Sequence, residues 1–219
     1  MLKSEIYIKQ NKPKKAYEIL YAMRDKILAS GKVKYKTEFA WKLKIIKDPN
    51  TLNAFCTPGG YIYVYTGLIN YLDNEDDLAG VLGHEIAHAD LRHSTKSMTR
   101  EYGVSTLLQI LLGNEPGKLT EIAKGLAGLK YSRCHESEAD EWSVIYLSPT
   151  TYKCDGAASF FAKLIATGQT GGTPTFLSTH PSPDNRVENI TKFGTLKGCT
   201  NNTTPTPSAT YALLKQSIL

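Results

Sequence analysis

No stretch of this 219-residue chain approaches the roughly 20 consecutive apolar residues that a membrane-spanning helix needs. The best run, Val104 to Leu112, is interrupted by Ser105, Thr106 and Gln109. That predicts a soluble chain and argues against a substrate site inside a bilayer, while leaving association with a membrane surface open. No secretory signal is visible, since Met1-Leu2-Lys3-Ser4-Glu5 leads into polar and charged residues rather than an apolar core, which a mature or truncated form with an added Met would also show. There is no internal repeat. Cysteine is sparse, at four residues, and none forms the CxxC pair of a cysteine-rich metal site.

The net charge of +5 is uneven: residues 1–50 carry 13 Lys or Arg against 5 Asp or Glu. Such a front end invites a nucleic-acid or anionic-membrane partner. However, Lys32, Lys34 and Lys36, then Lys42 and Lys44 among Phe39, Trp41, Leu43 and Ile45, alternate like the wet side of a strand. No nucleic-acid motif accompanies them, so no nucleic-acid partner is expected. The length suits one well-packed domain with appendages. The expected division is 1–34 as a basic segment and helix, 35–198 as the catalytic unit and 199–219 as a tail.

Chemistry concentrates at His84-Glu85-Ile86-Ala87-His88. On a helix of about 3.6 residues per turn, His84 and His88 share a face roughly 6 Å apart along the axis, and two imidazoles there can grip one metal ion. Glu85 lies about 100° round, within reach of a water on that metal without being forced to ligate it. A hydrolytic zinc takes three protein ligands and leaves the fourth position to water. The run Ser132-Arg133-Cys134-His135-Glu136-Ser137-Glu138-Ala139-Asp140 supplies candidates for the third. Glu136 and Asp140, four apart, share a face, so Glu136 can bind the metal while Asp140 accepts a hydrogen bond from a ligating histidine. Glu138 points to a solvated face. His135, and His93 on nearly the opposite side of an ideal helix from His84, are weak ligands, although His93 can stand behind the metal if the helix ends before it.

The remaining organisation follows from spacing. Ala16 to Ser30 predicts a helix stopped at Gly31, and Lys34 to Ile46 a strand. Leu52 to Phe55 and Tyr61 to Tyr65 predict a hairpin-like pair around Pro58-Gly59-Gly60. Helices are expected over Asp73 to His93, Ser94 to Gly113, Lys118 through the Glu136 segment, and Asp155 to Thr167. Gly168 to Thr173 reads equally as a lid or a plain connector. Asn201 to Ser208 is read as a poorly ordered tail.

Asn53 to Leu68, Leu78 to His88 and Glu136 to Asp140 together closely resemble the HtpX-like and CAAX-prenyl-protease-like zinc metallopeptidases, peptidase family M48, and within it the soluble periplasmic minigluzincin branch. The resemblance covers about residues 35–195. It implies an α+β, mostly helical gluzincin fold with a small mixed sheet whose edge strand borders one zinc ion. It implies His84, His88 and Glu136 as ligands, Glu85 as catalytic acid and base, and Asp140 behind them. Ser178 to Arg186 matches the family's His-Pro segment, giving His180 and Arg186 as oxyanion stabilisers, or His180 as a gate on the open zinc position. Residues alone would make His180 a loop residue and Arg186 a surface cation. The strand Tyr61–Tyr65 is taken as the edge, with Asn53, Gly59, Gly60, Tyr61, Ile62 and Tyr63 expected to bind an extended substrate by strand addition.

The expected function is therefore a zinc endopeptidase acting on extended or unfolded protein, with a zinc-containing chaperone that grips without cutting as the rival. The resemblance favours export to a periplasm. Cys154 and Cys199, outside the catalytic motifs, are the expected disulfide, and Cys56 and Cys134 are read as packing residues or a second bridge.

Overall fold

A computed structural model describes residues 14–112, 130–167, 175–181, 185–199 and 208–218. The possible lid at 168–173 and most of the Thr- and Pro-rich tail lie outside them.

Helix α1 (Lys14–Leu28) forms because Ile19, Leu20, Met23 and Ile27 recur at helical spacing and bury one face. Gly31, at φ 73°, ends the segment. The strand expected from Lys34 shrinks to β1 (Lys42–Ile46). Before it, the N–H groups of Lys34 and Tyr35 donate to the Asp90 carboxylate at 3.0 and 2.8 Å. Trp41 sits at φ 43° with its indole N–H donating to Tyr35 O at 3.1 Å. Those side-chain bonds take the backbone out of any ladder, which alternation alone cannot reveal.

Strands β2 (Ala54–Thr57) and β3 (Tyr61–Tyr65) follow, and the three form one sheet in the order β1-β3-β2. β1 runs parallel to β3, with Leu43 opposite Ile62, and β2 runs antiparallel to it, with Phe55 opposite Tyr63. The mixed sheet matches the expected fold class, but the expected edge is corrected. Tyr61–Tyr65 is the central strand, paired on both sides, so Tyr61, Ile62 and Tyr63 have no open backbone rim to offer a substrate. The edge is β2. At the turn, Gly59 and Gly60 take φ 85° and 79°, and a Cβ on Gly60 would lie 2.8 Å from the Trp41 ring.

Beyond the short α2 (Thr66–Tyr71), α3 (Glu75–Asp90) runs through the middle of the molecule, with every residue from Asp77 to Asp90 buried. Its start is well specified. The Asn74 side chain accepts from the Asp77 N–H at 2.9 Å, and Glu75, Asp76 and Asp77 complement the helix dipole. Helix α4 (His93–Leu112) is broken at Gly103, whose φ of 78° separates two helical pieces. Helix α5 (Arg133–Leu147) carries Glu136, and the part of the expected run from Lys118 up to residue 129 lies outside the described residues. Tyr131 and Ser132 are not helical, and Ser132 Oγ accepts from the His135 N–H at 3.1 Å as an N-cap.

Two contacts fix α3 against its neighbours. Ser143 of α5 lies on Gly83 and donates from Oγ to Gly80 O at 2.9 Å. Helix α6 (Gly156–Ala166) approaches Gly80 so closely that a Cβ there would sit 2.2 Å from Ala157 N. Two short elements complete the site, α7 (Thr175–Thr179) and α8 (Arg186–Leu196). Cys154 and Cys199 are joined by a disulfide across Cα atoms 5.9 Å apart, tying the start of α6 to the end of α8. Cys56 and Cys134 are free, so the alternative of a second bridge is not realised, and exposed Cys134 does not pack. The closing α9 (Ala209–Gln216) puts Tyr211 and Leu214 into the same hydrophobic core as α1.

Candidate metal centre

Four side chains converge where α3, α5 and the end of α7 meet. His84 and His88, one turn apart on α3, bring their Nε2 atoms to 2.9 Å. Glu136, in the first turn of α5, lies with Oε2 3.4 Å from His84 Nε2 and Oε1 3.3 Å from His88 Nε2. His180, immediately after α7, adds Nδ1 at 3.1 Å from Glu136 Oε1 and 3.4 Å from His84 Nε2. One ligating atom from each of the four lies within 4.8 Å of every other.

A metal fits this donor set. Tetrahedral zinc with nitrogen and oxygen ligands at about 2.0–2.1 Å holds its ligand atoms about 3.3 Å apart, and the separations above scatter around that value. Glu136 Oε2 is buried and accepts no hydrogen bond, although Arg186 Nη2 is 3.1 Å away. Burial depresses the His84 imidazole, but hydrogen bonds and charge from Asp140 and Glu136 outweigh it and lift it to about 9. These carboxylates favour positive charge at this point, and a divalent cation supplies it. Burial and the charge of His84 push His88 well below the ordinary histidine range, which suits a neutral ligand.

Glu85 is fully buried and neither carboxylate oxygen accepts a hydrogen bond. His180 Nε2 is 3.6 Å from its Oε1. Burial pushes the Glu85 carboxyl up despite the neighbouring histidines, the direction a general base at neutral pH requires.

Behind the four, Asp140 accepts from His84 Nδ1 at 2.9 Å, and is itself gripped by Arg186 through Nε and Nη2, both at 2.7 Å. The guanidinium lies 3.8 Å over the Phe161 ring, and its Nη1 makes no hydrogen bond. The surface cation that spacing suggested is thus a buried clamp, which no local sequence signal disclosed. Asn53, just before β2, is also fully buried with both amide atoms unpartnered. The outward rim of β2 meets the site directly: His180 Nε2 donates to Ala54 O at 3.3 Å, and Ser94 Oγ to Cys56 O at 3.3 Å.

Sequence reasoning missed three neighbours. Tyr131 stacks on His88 at 3.8 Å and Phe176 on His180 at 4.3 Å, each holding an imidazole plane. Glu138 is exposed, as its solvated face predicted, and also accepts from His93 Nε2 at 3.0 Å. His93 also departs from the helical-wheel position, because α3 ends at Asp90 and Arg92, at φ 62°, turns the chain back.

Residues 15–193 match Peptidase family M48. The chain is 32% identical to the mitochondrial metalloendopeptidase OMA1 of Schizosaccharomyces pombe over 161 residues, covering 72% of this chain and 48% of that protein. It is 31% identical to a putative beta-barrel assembly-enhancing protease of Vibrio cholerae over 167 residues, covering 69% and 34% respectively. With the metalloprotease YcaL of Escherichia coli it shares 31% identity over 146 residues, covering 64% of this chain and 57% of the relative. The chain therefore spans from about a third to somewhat over half the length of these curated relatives.

Proposed function

Because the chain belongs to peptidase family M48, we propose that it is a zinc-dependent endopeptidase that hydrolyses peptide bonds in extended or unfolded polypeptides. The observation that carries this reading is the convergence of His84 Nε2, His88 Nε2 and Glu136 at zinc-ligand spacing, with the unpartnered carboxylate of Glu85 beside them. His84, His88 and Glu136 would hold a zinc ion, which would supply Lewis acidity and lower the pKa of a bound water to about 7.

The chain's own groups do the rest. Glu85 accepts a proton from the attacking water and passes it to the departing amine. Arg186 and Asp140 hold His84 and Glu136 in place, and Arg186 Nη1, together with the His180 Nε2–H once it leaves Ala54 O, offers donors to the oxyanion. An extended substrate adds to the outward rim of β2, with Asn53 at its start, by displacing the His180 and Ser94 hydrogen bonds that cover Ala54 O and Cys56 O. Gly59 and Gly60 serve this reading by shaping the turn that follows β2.

The Glu85→Gln variant tests it: zinc content is expected to stay at the parent level while kcat on unfolded casein falls by about 10²- to 10⁴-fold. Chelation of the parent is expected to abolish digestion and added zinc to restore it. Cleavage by Glu85→Gln at the parent rate overturns the mechanism, and casein binding without cleavage in the parent favours the chaperone rival instead. The metalloendopeptidase and metalloprotease names of the relatives do not favour that rival.

A second reading of His180 has its own support, since its Nδ1 already stands among the metal-ligating atoms and its Nε2 covers Ala54 O. In that reading it is a gate. For His180→Ala, a tenfold or larger loss of activity assigns the oxyanion role and a gain assigns the gate.

The cellular setting we propose is an exported bacterial protein of the envelope. The disulfide suits an oxidising compartment, and the relatives from Vibrio cholerae and Escherichia coli are bacterial. Among the described residues no helix is long and apolar enough to cross a membrane.

A further inference from the structure

We propose that His93 and Glu138 are positioning residues for His88, forming a hydrogen-bonded chain that fixes which nitrogen of that imidazole faces the metal. The proposal rests on the zinc-site reading above. His88 presents Nε2 to His84 and Glu136, so its proton belongs on Nδ1. That Nδ1 lies 3.1 Å from His93 Nδ1, which must then be the acceptor. The His93 proton is thereby placed on Nε2, which donates to Glu138 Oε2 at 3.0 Å. One assignment satisfies every link, and the reverse assignment would place a proton on the nitrogen His88 needs for the metal.

The surroundings are built to hold this chain. His93 is fully buried, and its ring stacks on His135 at 4.3 Å and 11°, while Tyr131 stacks on His88 at 18°. The two α3 histidines are thus supported differently on their Nδ1 sides. His84 Nδ1 meets the Asp140 carboxylate directly, whereas His88 Nδ1 reaches a carboxylate only through a second imidazole. Both carboxylates sit on α5 with Glu136, so one helix orients all three ligands. Glu138 is 48% exposed, which ends the chain at solvent.

Zinc affinity, measured by competition with a chromophoric chelator, tests the idea without relying on turnover. Losing a partner behind a ligating histidine typically weakens metal binding 10- to 100-fold, and His93→Ala is expected to fall in that range. His93→Asn, whose side-chain oxygen stands where Nδ1 was, should recover most of the loss. Glu138→Ala, at a half-exposed position that cannot endanger folding, should weaken zinc severalfold alone and not at all in the His93→Ala background. Parental affinity in His93→Ala, an Asn variant as weak as Ala, or a Glu138 effect that persists without His93 would each overturn the proposal. A parent chain that takes up no zinc would instead overturn the zinc-site reading.

Discussion

Asp90, the last residue of α3, is buried and accepts from the N–H groups of Lys34 and Tyr35 and from the hydroxyl of Tyr146 at 2.7 Å. A single carboxylate thereby anchors the end of the metal-bearing helix to the loop before β1 and to α5. Asparagine cannot serve all three donors, because its amide would turn N–H groups toward one of them. Asp90→Asn is expected to cost about 2–3 kcal/mol, read as a lower urea midpoint at unchanged slope. The residues that face a common point across one helical turn were legible in the sequence: His84 with His88, and Glu136 with Asp140, because a spacing of four survives any packing. Asp90 was not, and His93 only on the condition that the helix ended before it. Their roles depend on where α3 stops, and Leu91-Arg92 carries neither a glycine nor a proline to mark that end.

At the scale of elements, the position of α3 is set by two glycines of unequal importance. A methyl group on Gly80 would press on Ala157 N, which is backbone and cannot rotate away. On Gly83 it would meet Ser143 Oγ at 2.7 Å, a side-chain atom that can turn at the loss of one hydrogen bond. Gly80→Ala is therefore expected to cost about 1–3 kcal/mol of stability and to disturb zinc uptake by separating α3 from α6. Gly83→Ala should cost less, and thermal melts of the two variants with zinc titrations check the ranking. The helices were legible because a buried face leaves a 3.6-residue pattern. The strands were less so: alternation located Tyr61–Tyr65, yet whether a strand is central or marginal depends on distant pairing with Lys42–Ile46, which no local pattern encodes.

For the whole molecule, the disulfide closes a loop of 45 residues containing α6, α7 and α8, and thus His180 and Arg186. The chain-entropy argument gives it about 4 kcal/mol, so the Cys154→Ser variant should unfold at markedly lower denaturant. Alkylation of the denatured protein should label two cysteines without reductant and four after reduction. A different consequence comes from the enclosure of the site, where His84, Glu85, His88, Glu136, His180 and Arg186 are each at most 3% exposed. No polypeptide can touch these groups while the walls stand, so the hydrolysis proposed above requires an opening motion first. Where that motion sets the pace, an ester and an amide of one peptide would be consumed equally fast, and thickening the solvent with sucrose would slow both alike.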